Sequence, residues 1–336
     1  MKNDPAGFAV YAHTAGATGW YNDGVESIDG TNNHVFQNNG WGFSSTVLWP
    51  VTGYPMAFMA YYPDSAVSKV ITSVNSVVPP STTLILGISI PASKDEQEDV
   101  LIARDTAKTG KPVEGQMSLR FRHILSKVNF TVTNTVSGQT AYVLAVGFCN
   151  LFSKNTFNAA NDNWNVLSSG VSPIDTFDYY HAFKPLSGTE VYTPTIFTGA
   201  DKASFFAGTA DETKHLILLP QRPVTWDITG TSISAPGANE AYIRMLYRLV
   251  NATVDIVGFA TAALHDDYVT GDYAGPLYVL VGFSFDAIWE SGGSYQYDIP
   301  IPGTGGGILL DTYYYDNQGA PTKFIIDGKN LYDRIM

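Results

Sequence analysis

The fold of this chain is decided by one stretch of sequence, Leu119-Arg120-Phe121-Arg122-His123-Ile124-Leu125-Ser126-Lys127-Val128-Asn129-Phe130. Apolar side chains occupy odd positions as far as Phe121 and even positions from Val128 onwards. Side chains of a β-strand point to alternate faces, so this pattern changes phase only at an inserted residue or at a break. The stretch therefore predicts two strand segments, with a bulge, bend or single helical turn at residues 123–127.

The same alternation predicts which side chains are buried. Residues 142–148 are apolar on both faces, which is typical of a central strand covered by two layers. We expect Arg120 and Arg122 on the face opposite the core. The predicted core positions are Leu119, Phe121, Val128, Phe130, Tyr142, Leu144 and Val146.

Strand signals recur about every ten residues on both sides of this stretch, separated by turn-forming residues. The chain contains 31 glycines and 18 prolines, as expected for strands joined by many turns. Residues 240–250 fit a helix or a strand, and the β-branched residues that follow favour a strand. Asp29-Gly30 is a hairpin-type turn sequence. Other expected strands are 8–12, 35–43, 56–62, 84–90, 216–219, 277–285, 295–301, 308–315 and 323–326.

Short strands without alternating helices predict an all-β fold. A length of 336 residues exceeds one ordinary core and favours two domains. We expect one β-sandwich at residues 1–170 and another at 171–336, divided within the Asn- and Ser-rich segment 151–173. A short similarity between residues 121–130 and 247–256 is either a chance match or the trace of a repeat with one topology.

The composition excludes some classes of function. The net charge of −12 argues against nucleic acid, because phosphate binding requires many lysines and arginines. No apolar run approaches the roughly 18 residues that span a bilayer. The polar start, Met1-Lys2-Asn3-Asp4-Pro5, has no signal-peptide pattern, so either the protein is cytosolic or its leader is absent from this sequence. Cys149 is the single cysteine, and its apolar surroundings indicate a buried thiol rather than a nucleophile.

Catalytic motifs are absent from the sequence, which has no nucleophile elbow, zinc-protease motif, phosphate-binding loop or dinucleotide fingerprint. We expect no catalytic residue and no cofactor, and we interpret His123 as a structural histidine rather than a general base. Asp266, Asp267 and Asp272 form the densest acidic site. They could supply oxygen ligands to Ca²⁺, but we favour a solvated turn.

Aromatic residues make up 13% of the chain and allow two interpretations. Exposed rings would form stacking platforms for sugars, whereas buried rings would fill sandwich cores and interfaces. We favour burial for Trp20, Trp41 and Trp49, because aromatic burial is the larger contribution. The protein is therefore expected to work by assembly or binding, not by catalysis.

A succession of short motifs carries a resemblance to a known family. The motifs are Trp49-Pro50, residues 58–63, 99–103, 119–130 and 218–221, and Trp289 followed by residues 292–297. Their order and spacing extend over residues 8–299. In these features the chain resembles the fimbrillin-like (Mfa-like or FimA-type) pilus subunits of Bacteroidales.

The resemblance implies two transthyretin-like Greek-key β-sandwich domains in tandem and a lipoprotein precursor exported to the outer membrane. In many members an N-terminal strand is removed by proteolysis, and subunits are thought to join by strand exchange. The implied partners are other pilin subunits and a host or bacterial surface ligand, and the implied membrane contact is a lipid anchor. No arginine precedes Arg104 and Cys149 is internal. Both features depart from the family pattern, and they are explained if this sequence begins downstream of an arginine-specific processing site and a lipobox cysteine.

Two rival functions remain open from the sequence. The first is an outer-membrane surface lipoprotein that binds carbohydrate through exposed tryptophan and tyrosine side chains on the same kind of sandwich. The second is a hydrolase, which would need two facing carboxylates. With 31 acidic residues in the chain, such pairs always occur and point to no particular site.

The C-terminal segment from residue 307 is predicted to be the assembly element. It follows a Pro302-Gly303-Thr304-Gly305-Gly306 hinge and holds two strand-like runs around a turn at residues 316–319. An isolated hairpin is marginally stable in water, so it requires a partner surface on its own domain or on a neighbouring subunit. The predicted assembly residues are Ile308, Leu309, Leu310, Tyr313, Tyr315, Phe324, Ile325 and Ile326.

Overall fold

The computed structural model describes residues 7–14, 20–21, 29–37, 41–43, 48–49, 55–77, 83–108, 118–134, 139–165, 174–180, 195–198, 202–204, 215–227, 236–251, 254–257, 277–285, 288–301, 308–315 and 321–324. Strands account for most of these residues, together with a short 3₁₀ turn at Lys94–Glu96. No α-helix occurs in these ranges, and the all-β prediction is confirmed.

The strands of the first half are β1 Phe8–Thr14, β2 Asp29–Gln37, β3 Trp41–Phe43, β4 Met56–Tyr62, β5 Ile71–Val77, β6 Thr83–Ser89, β7 Leu101–Lys108, β8 Phe121–His123, β9 Ser126–Asn134, β10 Gln139–Phe152, β11 Lys154–Asn158 and β12 Asn163–Trp164. Those of the second half are β13 Ile174–Tyr180, β14 Thr195–Thr198, β15 Lys202–Ser204, β16 Leu216–Leu218, β17 Val224–Thr225, β18 Glu240–Asn251, β19 Val254–Val257, β20 Leu277–Phe283, β21 Ser294–Ile301, β22 Ile308–Tyr315 and β23 Pro321–Phe324.

The described strands form four sheets. A six-stranded sheet has the order β3-β2-β1-β4-β7-β8, and a four-stranded sheet has the order β12-β11-β6-β5. The largest sheet has the order β13-β10-β18-β20-β22-β23, with β14, β17 and β19 paired beside this path. The last sheet has the order β15-β9-β16, and β21 runs parallel to β9. Most of the other neighbours are antiparallel, as expected for a chain with many short turns.

Two apolar clusters hold these sheets together. The larger one, here called the central core, includes Tyr61, Leu86, Phe148 and Ile299 and takes side chains from all four sheets. The smaller one, here called the outer cluster, covers the other face of the six-stranded sheet. It consists of Phe8, Val10, Ala12, Met56, Phe58, Ala60 and Ala103. Each large aliphatic or phenyl side chain that is fully buried contributes about 1.5–3 kcal/mol to folding.

The phase change at residues 123–127 is the point at which the chain moves from one sheet to another. β8 pairs with β7 in the six-stranded sheet, whereas β9 pairs with β16 and β21. Ile124 and Leu125 lie between the two strands, and both side chains are buried. The predicted break is therefore present, and its physical reason is a change of sheet.

The predicted burial around this break holds in most places. Arg120 and Arg122 are exposed as expected, and Val128 is fully buried. Leu119 and Phe121 are only half-buried, because they pack on the outside of the outer cluster instead of entering the central core.

β10 is a central strand, as its apolar faces predict, because β13 and β18 pair with its two edges. Val146 is buried as expected, but Ala141 and Val143 are the buried residues before it. A register shift between Val143 and Ala145 moves the buried face from odd to even positions, which the sequence pattern did not reveal. Three predicted core side chains lie outside the described part of the structure, namely those of Phe130, Tyr142 and Leu144.

The Asn- and Ser-rich segment predicted to divide the domains contains two strands. β11 pairs with β6, and β12 pairs with β11, so the chain returns to the four-stranded sheet after β10. Phe157 anchors β11 with a side chain that is 1% exposed, while Lys154 and Thr156 face solvent. Residues 166–173 lie outside the described ranges, and the division at residue 170 stays a prediction.

Two other local expectations are wrong, and the similarity between residues 121–130 and 247–256 is better explained as a chance match. Asp29 and Gly30 begin β2 instead of forming a turn, and Asp29 pairs with Tyr11. Residues 35–43 form parts of two strands, β2 and β3, which pair with each other. The suggested repeat has no common topology, because β8 and β9 belong to different sheets while β18 and β19 pair as neighbours.

Candidate assembly site

The first strand is buried on both faces. Phe8, Val10 and Ala12 lie in the outer cluster, whereas Ala9 and Tyr11 lie in the central core. All five side chains are at most 6% exposed. A strand can be apolar at consecutive positions only where layers cover both faces of its sheet, and β1 occupies such a position.

β1 also has a strand at each edge. A continuous antiparallel ladder from Ala9↔Tyr61 to Thr14↔Met56 joins it to β4. β2 pairs with the other edge through a shift in register. Without β1, the sheet would contain a slot with two unpaired strand edges and two apolar walls. Unpaired edges of this kind readily accept another extended segment.

Aromatic rings line both walls around β1. On the core side, the Tyr11 ring lies 5.1 Å from Trp20 and 6.2 Å from Tyr61, measured between centroids. On the outer side, Phe8 meets the edge of Phe121 at 5.0 Å. Such pairs contribute about 0.5–1.5 kcal/mol beyond the burial of their surface. Burial also raises the pKa of the Tyr61 hydroxyl above its usual value. The hydrogen bonds of this hydroxyl, mainly the one with Ser65, partly offset the rise.

The tryptophans whose side chains are described are buried or pack against the two clusters. Trp226 and Trp289 are 1% and 3% exposed. Trp20 is half-buried against the central core, and Trp49 stacks on Phe58 with a centroid distance of 6.1 Å. The side chain of Trp41 lies outside the described part. These contacts favour a role in cores over a sugar-stacking platform.

The predicted C-terminal assembly residues lie on a hairpin at the edge of the largest sheet. β22 pairs with β20 on one side and with β23 on the other, and β23 is the last strand of this order. The structure brings Ile308, Leu309, Leu310, Tyr313 and Tyr315 together on β22, with Phe324 on β23. Ile325 and Ile326 lie outside the described residues, so their part in assembly stays a prediction.

A buried glutamine fixes the junction between the largest sheet and the segment after β16. Gln221 is 6% exposed. Its side-chain oxygen accepts a hydrogen bond from the Phe152 backbone N–H at 2.9 Å. Its amide nitrogen donates to the carbonyls of Phe152 at 3.1 Å and Leu219 at 3.3 Å. Both ends of the amide are thus satisfied, as a buried polar side chain requires.

The first glycine of the pair before β21 is required by backbone geometry. Gly292 has a φ of +71°, a conformation that favours glycine. Its N–H donates to the Leu125 carbonyl at 3.0 Å, and a Cβ there would lie 3.2 Å from the His123 carbonyl oxygen. The turn at residues 291–293 therefore packs directly on the break between β8 and β9.

A hydrogen bond between two side chains also marks this break. The His123 Nδ1 and the Asp99 carboxylate form a hydrogen-bonded pair. Burial raises the pKa of the Asp99 carboxyl above its ordinary value, and the neighbouring His123 partly offsets this rise. The pair connects β8 with the residues just before β7, which agrees with a structural role for His123.

The described part of the chain offers little reactive chemistry. No group of three or more side chains able to hold a metal ion is found among the residues that the structure describes. The Ca²⁺ candidates Asp266, Asp267 and Asp272 lie outside those residues. Cys149 is 1% exposed, so the prediction of a buried thiol is confirmed. Where the structure describes the chain, it contains no helix long and apolar enough to cross a membrane.

These features define an all-β protein built from strand ladders between apolar layers. The model of a family described as fimbrillin-like matches residues 2–312. The chain belongs to this family, which is a family of structural and adhesive proteins and not of enzymes.

Solved structures of similar fold come from Bacteroides. A fimbrial protein from Bacteroides vulgatus ATCC 8482 is similar with a TM-score of 0.57 and 12% identity, over 96% of this chain and 92% of that chain. A candidate cell adhesion protein from Bacteroides uniformis ATCC 8492 gives a TM-score of 0.43 and 13% identity, over 97% and 93% of the two chains. At such identities the first likeness shows the fold alone. A comparison with curated proteins finds no match.

The sequence did not single out β1 as a candidate site. Its alternation predicts a strand, but gives no reason to separate it from the others. The available signal is the run of apolar residues from Phe8 to Ala12, which leaves no polar face. A strand with one solvent face would show polar residues at every second position.

Proposed function

We propose that this protein is a structural or adhesive subunit of a cell-surface pilus that joins its neighbours by strand exchange. The observation that carries the proposal is the position of β1 in a member of the fimbrillin-like family. This strand is buried on both faces and paired at both edges, so its slot is shaped to hold a single extended segment. Neither a cofactor nor a titrating group is needed for such a function.

The proposed architecture is two transthyretin-like sandwiches in tandem. The arrangement of the six- and four-stranded sheets around the central core supports the first sandwich. We place the subunit at the outer surface of the cell, with other pilin subunits as partners.

The proposed donor segment is β22. Its sequence, Ile-Leu-Leu-Asp-Thr-Tyr-Tyr-Tyr, has apolar or aromatic residues on both faces, as β1 has. It contains eight residues and β1 contains seven, so one could replace the other along the β4 ladder. β22 and β23 end the order of their sheet, so release of the two strands together breaks only the ladder between β22 and β20.

The exchange is tested on intact, folded protein with a protease site placed between residues 15 and 19. Cleavage leaves β1 bound only by noncovalent contacts. We expect the cleaved protein to form filaments visible by electron microscopy, and a synthetic peptide of residues 308–315 to compete with their growth. A peptide with the same residues in scrambled order is the control. Cleaved protein that loses β1 yet stays monomeric, or filaments that both peptides inhibit equally, would contradict the proposal.

A further inference from the structure

β5 is an edge strand that shows its polar residues to solvent. It pairs with β6 from Ile71↔Ile88 to Val77↔Thr83 and ends the order of the four-stranded sheet. In the part of the chain that the structure describes, its other edge has no partner strand. Half of the backbone N–H and C=O groups of such a strand point away from the sheet. The side chains of Thr72, Ser73, Asn75 and Ser76 are exposed.

This edge lacks the charges that usually protect sheet edges. Proteins discourage pairing between edges with lysine, other charges, proline or bulges. No charged residue occurs between Lys69 and Lys94, although 15% of the chain is charged, and β5 itself contains no proline. A register shift near Thr72 is the only such device in β5, and it leaves Ser73–Val77 regular.

The pattern of apolar and polar residues in β5 reads the same in both directions, which points to a second copy of β5 as the partner. An antiparallel strand from a second copy, centred on Val74, would place like residues opposite like in the sequence, and the pairs nearest Val74 lie in the regular part of the strand. The opposed pairs are Val74 with Val74, Ser73 with Asn75, Thr72 with Ser76, and Ile71 with Val77. A contact about a two-fold axis requires a patch that is complementary to itself, and β5 meets this requirement.

The charge of the protein favours the same contact. With a net charge of −12, two copies repel each other over most of their surfaces. An uncharged strand is where two copies approach at the lowest electrostatic cost. Screening in physiological salt confines the remaining repulsion to about 8 Å.

We propose that β5 pairs with β5 of a second copy in an antiparallel, two-fold symmetric contact. A contact made by one strand per copy is far smaller than a standard interface, so isolated subunits associate weakly. Copies repeated along a filament would add their contacts and bind filaments side by side. This last step rests on the proposed pilus function, whereas the pairing itself is testable on the isolated protein.

The register is tested by disulfide trapping with two differently tagged variants, Ser73→Cys and Asn75→Cys. Directly opposed Cβ atoms lie about 5 Å apart, but diagonal ones lie about 7–8 Å apart. Mixed variants should therefore give more cross-linked dimer under mild oxidation than either variant alone. Thr156→Cys is the control, because Thr156 is exposed on β11, which β6 separates from β5 in the same sheet. Equal cross-linking in the mixture, in each variant alone and in the Thr156→Cys control would overturn the proposal.

A second experiment weakens the contact without a cysteine. Asn75→Lys puts a charge on each copy, and sedimentation velocity measures self-association at rising concentration. We expect the dissociation constant to rise about tenfold, while Thr156→Lys leaves it unchanged. Thermal melting checks that both variants are folded. Equal self-association of the two variants, or no self-association of the parent protein, would overturn the pairing whatever the outcome for filaments.

Discussion

The backbone N–H of Ile217 donates a hydrogen bond to the side-chain oxygen of Gln97 at 2.8 Å. The amide nitrogen of Gln97 donates to the Pro91 carbonyl at 3.0 Å. One side chain therefore connects the turn before β7 with β16, which pairs with β9 in a different sheet. Both bonds are partly buried, so water does not fully replace them when the glutamine is lost.

Gln97→Leu is expected to destabilise the protein by about 1–3 kcal/mol, because it leaves two partly buried polar groups unpaired. Urea unfolding followed by tryptophan fluorescence measures the change. Glu96→Ala, at an exposed neighbouring position, is the control and should change stability by less than about 0.5 kcal/mol. An equal effect of both substitutions would show that the bond to Ile217 does not stabilise the junction.

Phe148→Ala is expected to cost about 3–5 kcal/mol. The Phe148 ring is fully buried and contacts the rings of Phe285, Trp289 and Tyr297 at centroid distances of 4.9, 5.3 and 5.4 Å. Phe121→Ala, at a half-buried position on the outer cluster, should cost about half as much. Equilibrium unfolding of both variants gives the comparison, and the reverse order would contradict the assignment of the two clusters.

Deletion of residues 309–336 should leave a folded subunit that does not enter filaments. It removes β23 and most of β22 but no described member of the central core. We expect far-UV circular dichroism and the melting temperature to change little, while electron microscopy of the assembly reaction shows no filaments. Two results would contradict the donor role of β22, namely an unfolded product and normal polymerisation.

Asp99→Asn should change how stability depends on pH. The pKa of the Asp99 carboxyl is raised by burial, so the folded protein binds its proton more readily than the unfolded chain. At a pH above the carboxyl's pKa in the folded protein, the charged carboxylate therefore lowers the free energy of unfolding. This loss disappears when the pH falls below the carboxyl's pKa in the unfolded chain. We expect the variant to be at least as stable as the parent at pH 7, with the difference shrinking towards acid. A variant that is less stable than the parent at pH 7 would mean that the pair with His123 outweighs burial.

A single cut between residues 166 and 173 should not separate two pieces. β9 and β10 precede this cut, but they pair with β13, β16, β18 and β21, which follow it. A protein with a protease site inserted at residue 169 should therefore elute as one species after cleavage. Denaturant should release fragments of the two expected sizes. Separation under native conditions would show that these ladders are weaker than the structure indicates.

The sequence predicts strands well where a short apolar run ends at a proline or where apolar and polar residues alternate. β4, β6, β16 and β21 lie within two residues of their predicted positions, because prolines close the first three and alternation defines the last. β5 is not predicted, because its serines, threonine and asparagine obscure the alternation. β11 is missed for the same reason, as Phe157 is its one large apolar residue.

Sheet membership could not be predicted from the sequence. The pattern at residues 123–127 indicates a break, but a local period carries no information about which distant strand completes each ladder. The phase change inside β10 is also hidden, since its residues are apolar on both sides of Val143 and Ala145. β1 is a candidate site because layers cover both of its faces, and those layers come from residues far along the chain.

β11 and β12 pair in one sheet with the much earlier strands β5 and β6, and this determines when that sheet can form during synthesis. The four-stranded sheet lacks two of its strands until residue 164 has left the ribosome, although β5 and β6 emerge about 80 residues earlier. In the meantime β9 and β10 also emerge, and their partners β16, β18 and β21 follow much later. A nascent chain of this protein therefore cannot complete its first half and then begin its second. It stays incompletely folded for most of its synthesis, which is the state that a chain must keep if it is to be threaded through a membrane before it folds.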